Sequence, residues 1–307
     1  MTGPSLVAQR ETRKEFAIKR LFRIYPAVWV ALALATALAH LVTHPTASLS
    51  PANLLMEASL LWSQFIVISP TYTLAIELMF YMLAMVILPL IRTQPKSATG
   101  IVILMPMAIH FSLSAPVYAL NSPKLIGLFG YTAFLAVFAM GMAIYYGWTK
   151  RIRLISVVAL LAGAYCSLIL TTGTSAVGRG FQSNTFYALL LFCMAIWATP
   201  RLKIGPIVGM IAAASYSIYL LHDPIGRTII ALLQEKIGYS ASLIISLTLI
   251  SLAALASLVF VERPSQTVAR RLIRLWNTPV VIFSESPNGA NSLSGVIVES
   301  VPNPTLP

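Results

Sequence analysis

Residues 70–83 read PTYTLAIELMFYML, apolar enough for a lipid bilayer except at one carboxylate, Glu77. On insertion scales, an acid at the centre of a membrane helix costs about 3 kcal/mol. Such a residue is kept where it meets a partner, a wet cavity or a reaction. Thr73, Glu77 and Tyr81 recur at i, i+4 and i+8, which puts them on one helical face. That stripe is expected to face the interior of a helix bundle. It serves either as a hydrogen-bonded tie between helices or as the polar wall of a reaction site.

Two further stretches hold residue types suited to chemistry. In SYSIYLLHDPI, residues 215–225, Ser215, Tyr219 and His222 fall at i, i+4 and i+7, again on one face. His222 precedes Asp223, and a histidine beside a carboxylate can exchange protons near neutral pH. A histidine at a helix end is also a common interfacial anchor, and Pro224 is expected to end the helix there. In EFAIKRLFRIYP, residues 15–26, Lys19, Arg20 and Arg23 gather at the mouth of an apolar run. Arginine forks grip phosphate oxygens in pairs, although basic residues in this place also mark membrane topology. His40, His44 and His110 lack ligand spacing with a nearby acid, and no metal site is expected.

These residues need elements to position them. The chain has 307 residues, 58% of them hydrophobic and 10% charged, with a net charge of +12. Soluble domains carry about 25% charged residues, so the composition implies an all-α polytopic membrane helix bundle. Apolar runs of spanning length occur at about 24–43, 71–91, 99–118, 128–148, 154–172, 183–199, 204–221 and 239–261, giving about eight transmembrane helices. The shorter run 54–68, which holds Glu57, reads as an interfacial or re-entrant helix.

With a cytoplasmic N-terminus, seventeen basic residues fall on inside segments and four on outside ones (Lys124, Arg179, Arg227, Lys236). That bias predicts both termini in the cytoplasm and assigns the positive charge to topology, not to nucleic acid. Cys166 and Cys193 lie inside apolar runs and supply no disulfide or metal framework. Residues 1–10 lack a signal-peptide pattern. Three regions follow: a basic cytoplasmic segment 1–23, a transmembrane domain 24–275, and a tail 276–307, rich in Pro, Ser and Asn and expected to be disordered.

Taken together, the motifs resemble the acyltransferase 3 family of integral membrane O-acyltransferases. Phe16 to Trp29, with Arg20, Arg23, Tyr25 and Pro26, is similar to the family's FxxRRxxRIxPxYW entry to a span. Tyr72-Thr73-Leu74 followed by Glu77, Phe80 and Tyr81 is similar to WSLxxExxFY, with Tyr and Thr in place of Trp and Ser. Ser215 to Ile225 matches SYSIYLxHxPI closely, and Val261-Glu262-Arg263-Pro264 resembles the closing ExP motif before a basic helix. The resemblance runs from about residue 15 to 275.

The resemblance implies an inner-membrane enzyme that transfers an acyl group, commonly acetyl, from acyl-coenzyme A to a hydroxyl of a cell-envelope or exported glycan, free or lipid-linked. It implies acyl-CoA as donor substrate and no bound cofactor. A phosphate-bearing donor requires a basic mouth, supplied by Arg20, Arg23 and Lys19. An acceptor reached through the bundle requires a polar path, offered by Thr73, Tyr81, Ser215 and Tyr219 with Glu77 and His222. A general base must deprotonate the acceptor hydroxyl. Family members usually begin with two further helices bearing the histidine thought to do this, and the present chain starts in what would be the loop after them. Glu77 and His222 stand as catalytic candidates, Glu77 with an orienting or structural task beside the reaction cavity. Two alternatives stand beside the enzyme: a truncated non-catalytic membrane remnant, and a glycan or lipid transporter. The transporter's signature of paired, Gly/Pro-broken spans is not found.

Overall fold

Each long apolar run meets the same constraint: in lipid, a helix is the local way to bond every backbone group. The computed structural model describes residues 12–39, 51–60, 68, 70–119, 130–173, 176–198 and 205–277, and among these no strand occurs. Helix α1 covers Arg13–Ala39, starting well before the expected run. Its start is fixed by a capping box, in which the Thr12 amide donates to the Glu15 carboxylate at 2.8 Å and the Glu15 amide donates to the Thr12 hydroxyl at 3.2 Å. The described basic residues ahead of the span are therefore the first turns of its own helix. Helix α2, Pro51–Ser59, is the described part of the short run. Residues 61–67, His40, His44 and the tail beyond Asn277 lie outside the described residues.

The run at 71–91 divides into α3 (Thr71–Val86) and α4 (Leu88–Thr93). Pro89 has no N–H for the Met85 carbonyl, and the chain bends at Ile87 (φ −88°, ψ 12°). Then come α5 (Pro95–Ala119), α6 (Leu135–Trp148, entered through a 3-10 turn), α7 (Leu154–Thr172) and α8 (Ala176–Ala198). Helix α9 is Pro206–Ile237 and α10 is Tyr239–Ser257; a π-turn, Leu258–Glu262, leads into α11, Arg263–Asn277. One expectation is corrected here. Pro224 does not end its helix: α9 runs through it for 32 residues, with Leu220 and Ile225 packed in the core on either side, so the loss of one backbone bond is outweighed. The last apolar run is helical throughout, with the π-turn at its inner end.

Among the described residues five helices are long and apolar enough to cross a membrane, and there are two shorter apolar helices, Thr71–Val86 and Thr132–Trp148. Side-chain contacts fix their directions. Tyr72 stacks on Tyr131 at 6.0 Å and Phe80 on Phe138 at 4.3 Å, so α3 and α6 run the same way. Ser217 meets Ser257 while Gly226 meets Ser246, so α9 and α10 are antiparallel. The same bookkeeping brings the first turns of α1, the loops at Arg92 and Arg151, and α11 to one end of the bundle. There Arg151 donates to the Arg92 carbonyl at 2.5 Å, and Lys14 lies 4.9 Å over the Trp276 ring. The charge asymmetry of the sequence is thus a physical property of one end.

Between the ends, small residues let helices approach closely: Ala27, Ala31, Ala84, Ala136 and Ala139 are buried together with Ile24, Val28, Phe80 and Leu220. Pro26 in α1 leaves the Phe22 carbonyl without its helical donor. Ser265 of α11 supplies one instead, at 2.8 Å, as neighbouring helices do for membrane prolines.

Candidate functional site

Glu77 has its described hydrogen bond within its own helix, as acceptor from the Tyr81 hydroxyl one turn on. Among the described residues this bond does not cross between helices. The interhelical work falls to Tyr81, which packs edge-on against Phe16 of α1 at 5.6 Å. The Arg20 guanidinium lies 5.0 Å from the centroids of both rings, a cation–π arrangement that strengthens where water is excluded. Arg20 is only 7% exposed, so it stands inside the bundle. Arg23, one turn further, is half-buried, and Lys19 is exposed at the mouth. A carboxylate, a phenol and a guanidinium thus meet where α1 and α3 cross, at the basic end.

Towards the other end, the Thr73 and Tyr219 hydroxyls meet at 2.6 Å, and both also bond the Pro70 carbonyl, at 2.9 and 3.3 Å. The stripes read on α3 and α9 are in contact through this pair. Tyr81, Glu77, Thr73 and Tyr219 form a polar column about two turns long, and the His222 ring stands 5.8 Å from that of Tyr219. His222 itself is exposed, with Nδ1 2.7 Å from the Tyr219 carbonyl. A carbonyl only accepts, so Nδ1 is the donor in this bond. Asp223 forms an ion pair with Arg227. Ser215 does not join the column: it is exposed and donates to the Ala212 carbonyl at 2.9 Å.

The buried face of α9 is Ala214, Ser217, Leu221, Pro224 and Thr228, one step round from the expected stripe. It carries groups that the sequence reading passed over. The Tyr216 hydroxyl donates to the Ile24 carbonyl at 3.1 Å, and the ring lies within range of the charges of Glu77, Glu262 and Arg23. The Ser217 hydroxyl lies 2.5 Å from Glu262 and 2.7 Å from the Ser257 hydroxyl. Glu262, 4% exposed, is a second buried acid at the basic end. The sequence reading met Glu262 only in the closing motif Val261-Glu262-Arg263-Pro264 and gave it no role. Its π-turn is a helix irregularity that often occurs at functional sites.

Helix α2 leans on α1 through the Tyr25 hydroxyl to the Ser59 carbonyl at 2.9 Å and the Trp29 indole to the Ala58 carbonyl at 3.1 Å. The two helices line an apolar groove of about 1070 Å³ with Tyr25, Trp29, Leu32 and Leu54 on its walls. Among the described residues no group of three or more His, Cys, Asp or Glu could hold a metal ion.

The chain matches the family model for an acyltransferase domain over residues 6–261. No curated protein matches it, and no solved structure does. The family match takes in all of the helices that build the column, from the first turns of α1 to Val261 beside Glu262. This multi-pass membrane protein belongs to the acyltransferase 3 family.

Proposed function

We propose that the chain transfers an acyl group, in the first instance acetyl, from acyl-coenzyme A to a hydroxyl of a cell-envelope or exported glycan. The observation that carries this reading is the Glu77–Tyr81–Arg20 cluster: a carboxylate that accepts from a phenol whose ring faces a guanidinium, at the basic end of a membrane bundle. The phosphates of a cytoplasmic donor are met by Lys19, exposed at the mouth, and by the half-buried Arg23. Arg20, between them along α1, is the most enclosed of the three side chains. In the transfer, the acceptor oxygen bonds to the thioester carbon, the carbon–sulfur bond breaks, and coenzyme A leaves as a thiolate that takes up a proton. The proton lost by the acceptor hydroxyl must pass to a base. We assign Glu77 to handling it, since one of its oxygens accepts from Tyr81 and the other has no described partner. The column through Thr73 and Tyr219 offers an acceptor a polar approach from the far side. We place the protein in the inner membrane with both termini cytoplasmic.

The test uses purified full-length protein in proteoliposomes, with acetyl-coenzyme A labelled in the acetyl group and envelope glycan as acceptor. Alkali-labile label on the glycan, with matching release of coenzyme A thiol, is expected. Donor that neither binds nor turns over, while the protein is folded and inserted, overturns the reading.

A further inference from the structure

We propose that α11 is an interfacial helix that seats on anionic phospholipid headgroups at the basic end of the bundle. The inference is independent of the acyl-transfer reading. Arg263, Arg270, Arg271 and Arg274 are four of its fifteen residues, with no acid among them. All four are exposed. The helix touches α1 along one face only: Ala269 is buried there, Ser265 bonds the Phe22 carbonyl at 2.8 Å and Asn277 bonds Glu15 at 2.5 Å. A different face carries Val268, Leu272 and Leu275, at i, i+4 and i+7, and Leu275 is 74% exposed. Trp276 belongs instead to the α1 side, with Lys14 4.9 Å over its ring.

An arginine-rich helix with an uncovered apolar row is the pattern of a helix lying in the headgroup boundary, apolar side towards the acyl chains. Its place in the chain agrees. It follows the apolar α10 through the π-turn, an irregularity at which helices change direction, and so it begins at the membrane's edge. Charge selects the lipid: each basic residue near an anionic surface favours contact by about five-fold, and the nearby first turns of α1 add Arg13, Lys14 and Lys19 of the same sign.

The experiment uses the full chain with Cys166→Ser and Cys193→Ser, and with an environment-sensitive fluorophore on Leu272→Cys. It is placed in nanodiscs of phosphatidylcholine alone or mixed with phosphatidylglycerol. Acrylamide quenching reads how much of the label is in water. The anionic lipid is expected to shelter the label, and the joint change Arg270→Gln, Arg271→Gln and Arg274→Gln to reverse this by on the order of a hundred-fold in the docked-to-free ratio. Replacing the same three by Lys should retain docking, which separates lost charge from lost folding. A label equally wet or equally sheltered in both bilayers overturns the proposal, the sheltered case pointing to a protein partner. So does a glutamine variant that still responds to the anionic lipid.

Discussion

Glu57 and Glu77 are both carboxylates in apolar surroundings, and the bundle treats them differently. Glu57 is 1% exposed, and it accepts from the Ile68 amide at 2.7 Å and the Thr71 hydroxyl at 3.2 Å. Both donors sit at the approach to α3, so Glu57 pins the chain segment that leads into that helix, from fourteen residues upstream of Thr71. Glu77 is less deeply buried and has one described partner, on its own helix. The first acid is consumed in holding backbone in place. The second has one oxygen with no described partner. On the proposed function, the completeness of a buried acid's hydrogen bonding, not its burial, separates structure from chemistry.

That contrast is open to attack at several points. The largest expected effect is on transfer: Glu77→Gln should lower acyl transfer at least about a hundred-fold, the lower end for a lost proton-handling group, while the melting temperature in detergent holds or rises. Equal transfer rates for Glu77→Gln and the parent would make the two acids alike. Glu57→Ala should do the reverse. Leaving the Ile68 amide without its acceptor should cost about 1–3 kcal/mol of stability, while the Thr71 hydroxyl keeps the Ile68 carbonyl at 2.5 Å; denaturant titration reads the loss, and the protein that remains folded should transfer at the parent rate.

A smaller effect belongs to the mouth. Arg23→Lys keeps the charge but not the paired donors, and acetyl-coenzyme A binding should weaken roughly ten-fold, as for one charged hydrogen bond. Insertion should be unchanged, because topology depends on the number of basic residues. Unaltered titration curves for Arg20→Lys and Arg23→Lys alike would reduce the cluster to a membrane anchor. The smallest change is Ser265→Ala, worth about 1 kcal/mol in thermal stability, since it removes the substitute donor to Phe22.

Much of this was open to reading in the sequence because lipid makes the code strict. Spanning runs had to be helices, and the Thr73–Glu77–Tyr81 stripe had to share a face. The α9 face was harder. Ser215, Tyr219 and His222 obey the period as well as Ala214, Ser217 and Leu221 do, and periodicity alone does not say which row meets a neighbour. Small buried residues decided it, and Ser217 is one of them. Pro224 misled because its cost is local while the packing around it is not: the core gained by continuing the helix outweighs one missing donor. The Arg20 sandwich was invisible for another reason. It joins residues from two helices whose crossing angle no spacing encodes.

The bond from Ser265 to the Phe22 carbonyl has a consequence for biogenesis. Its two ends are 243 residues apart. Synthesis at about 5–20 residues per second puts roughly 12–50 s between their emergence from the ribosome. Throughout that interval α1 holds a carbonyl whose eventual donor has not been made. An early α1 is thus best served by waiting with its Phe22 turn among the headgroups, where water can bond it, and sinking into register only when α11 arrives. The first described helix to be synthesised would be among the last to reach its final place, and the bundle closes as a ring fastened by a serine against a proline's missing hydrogen.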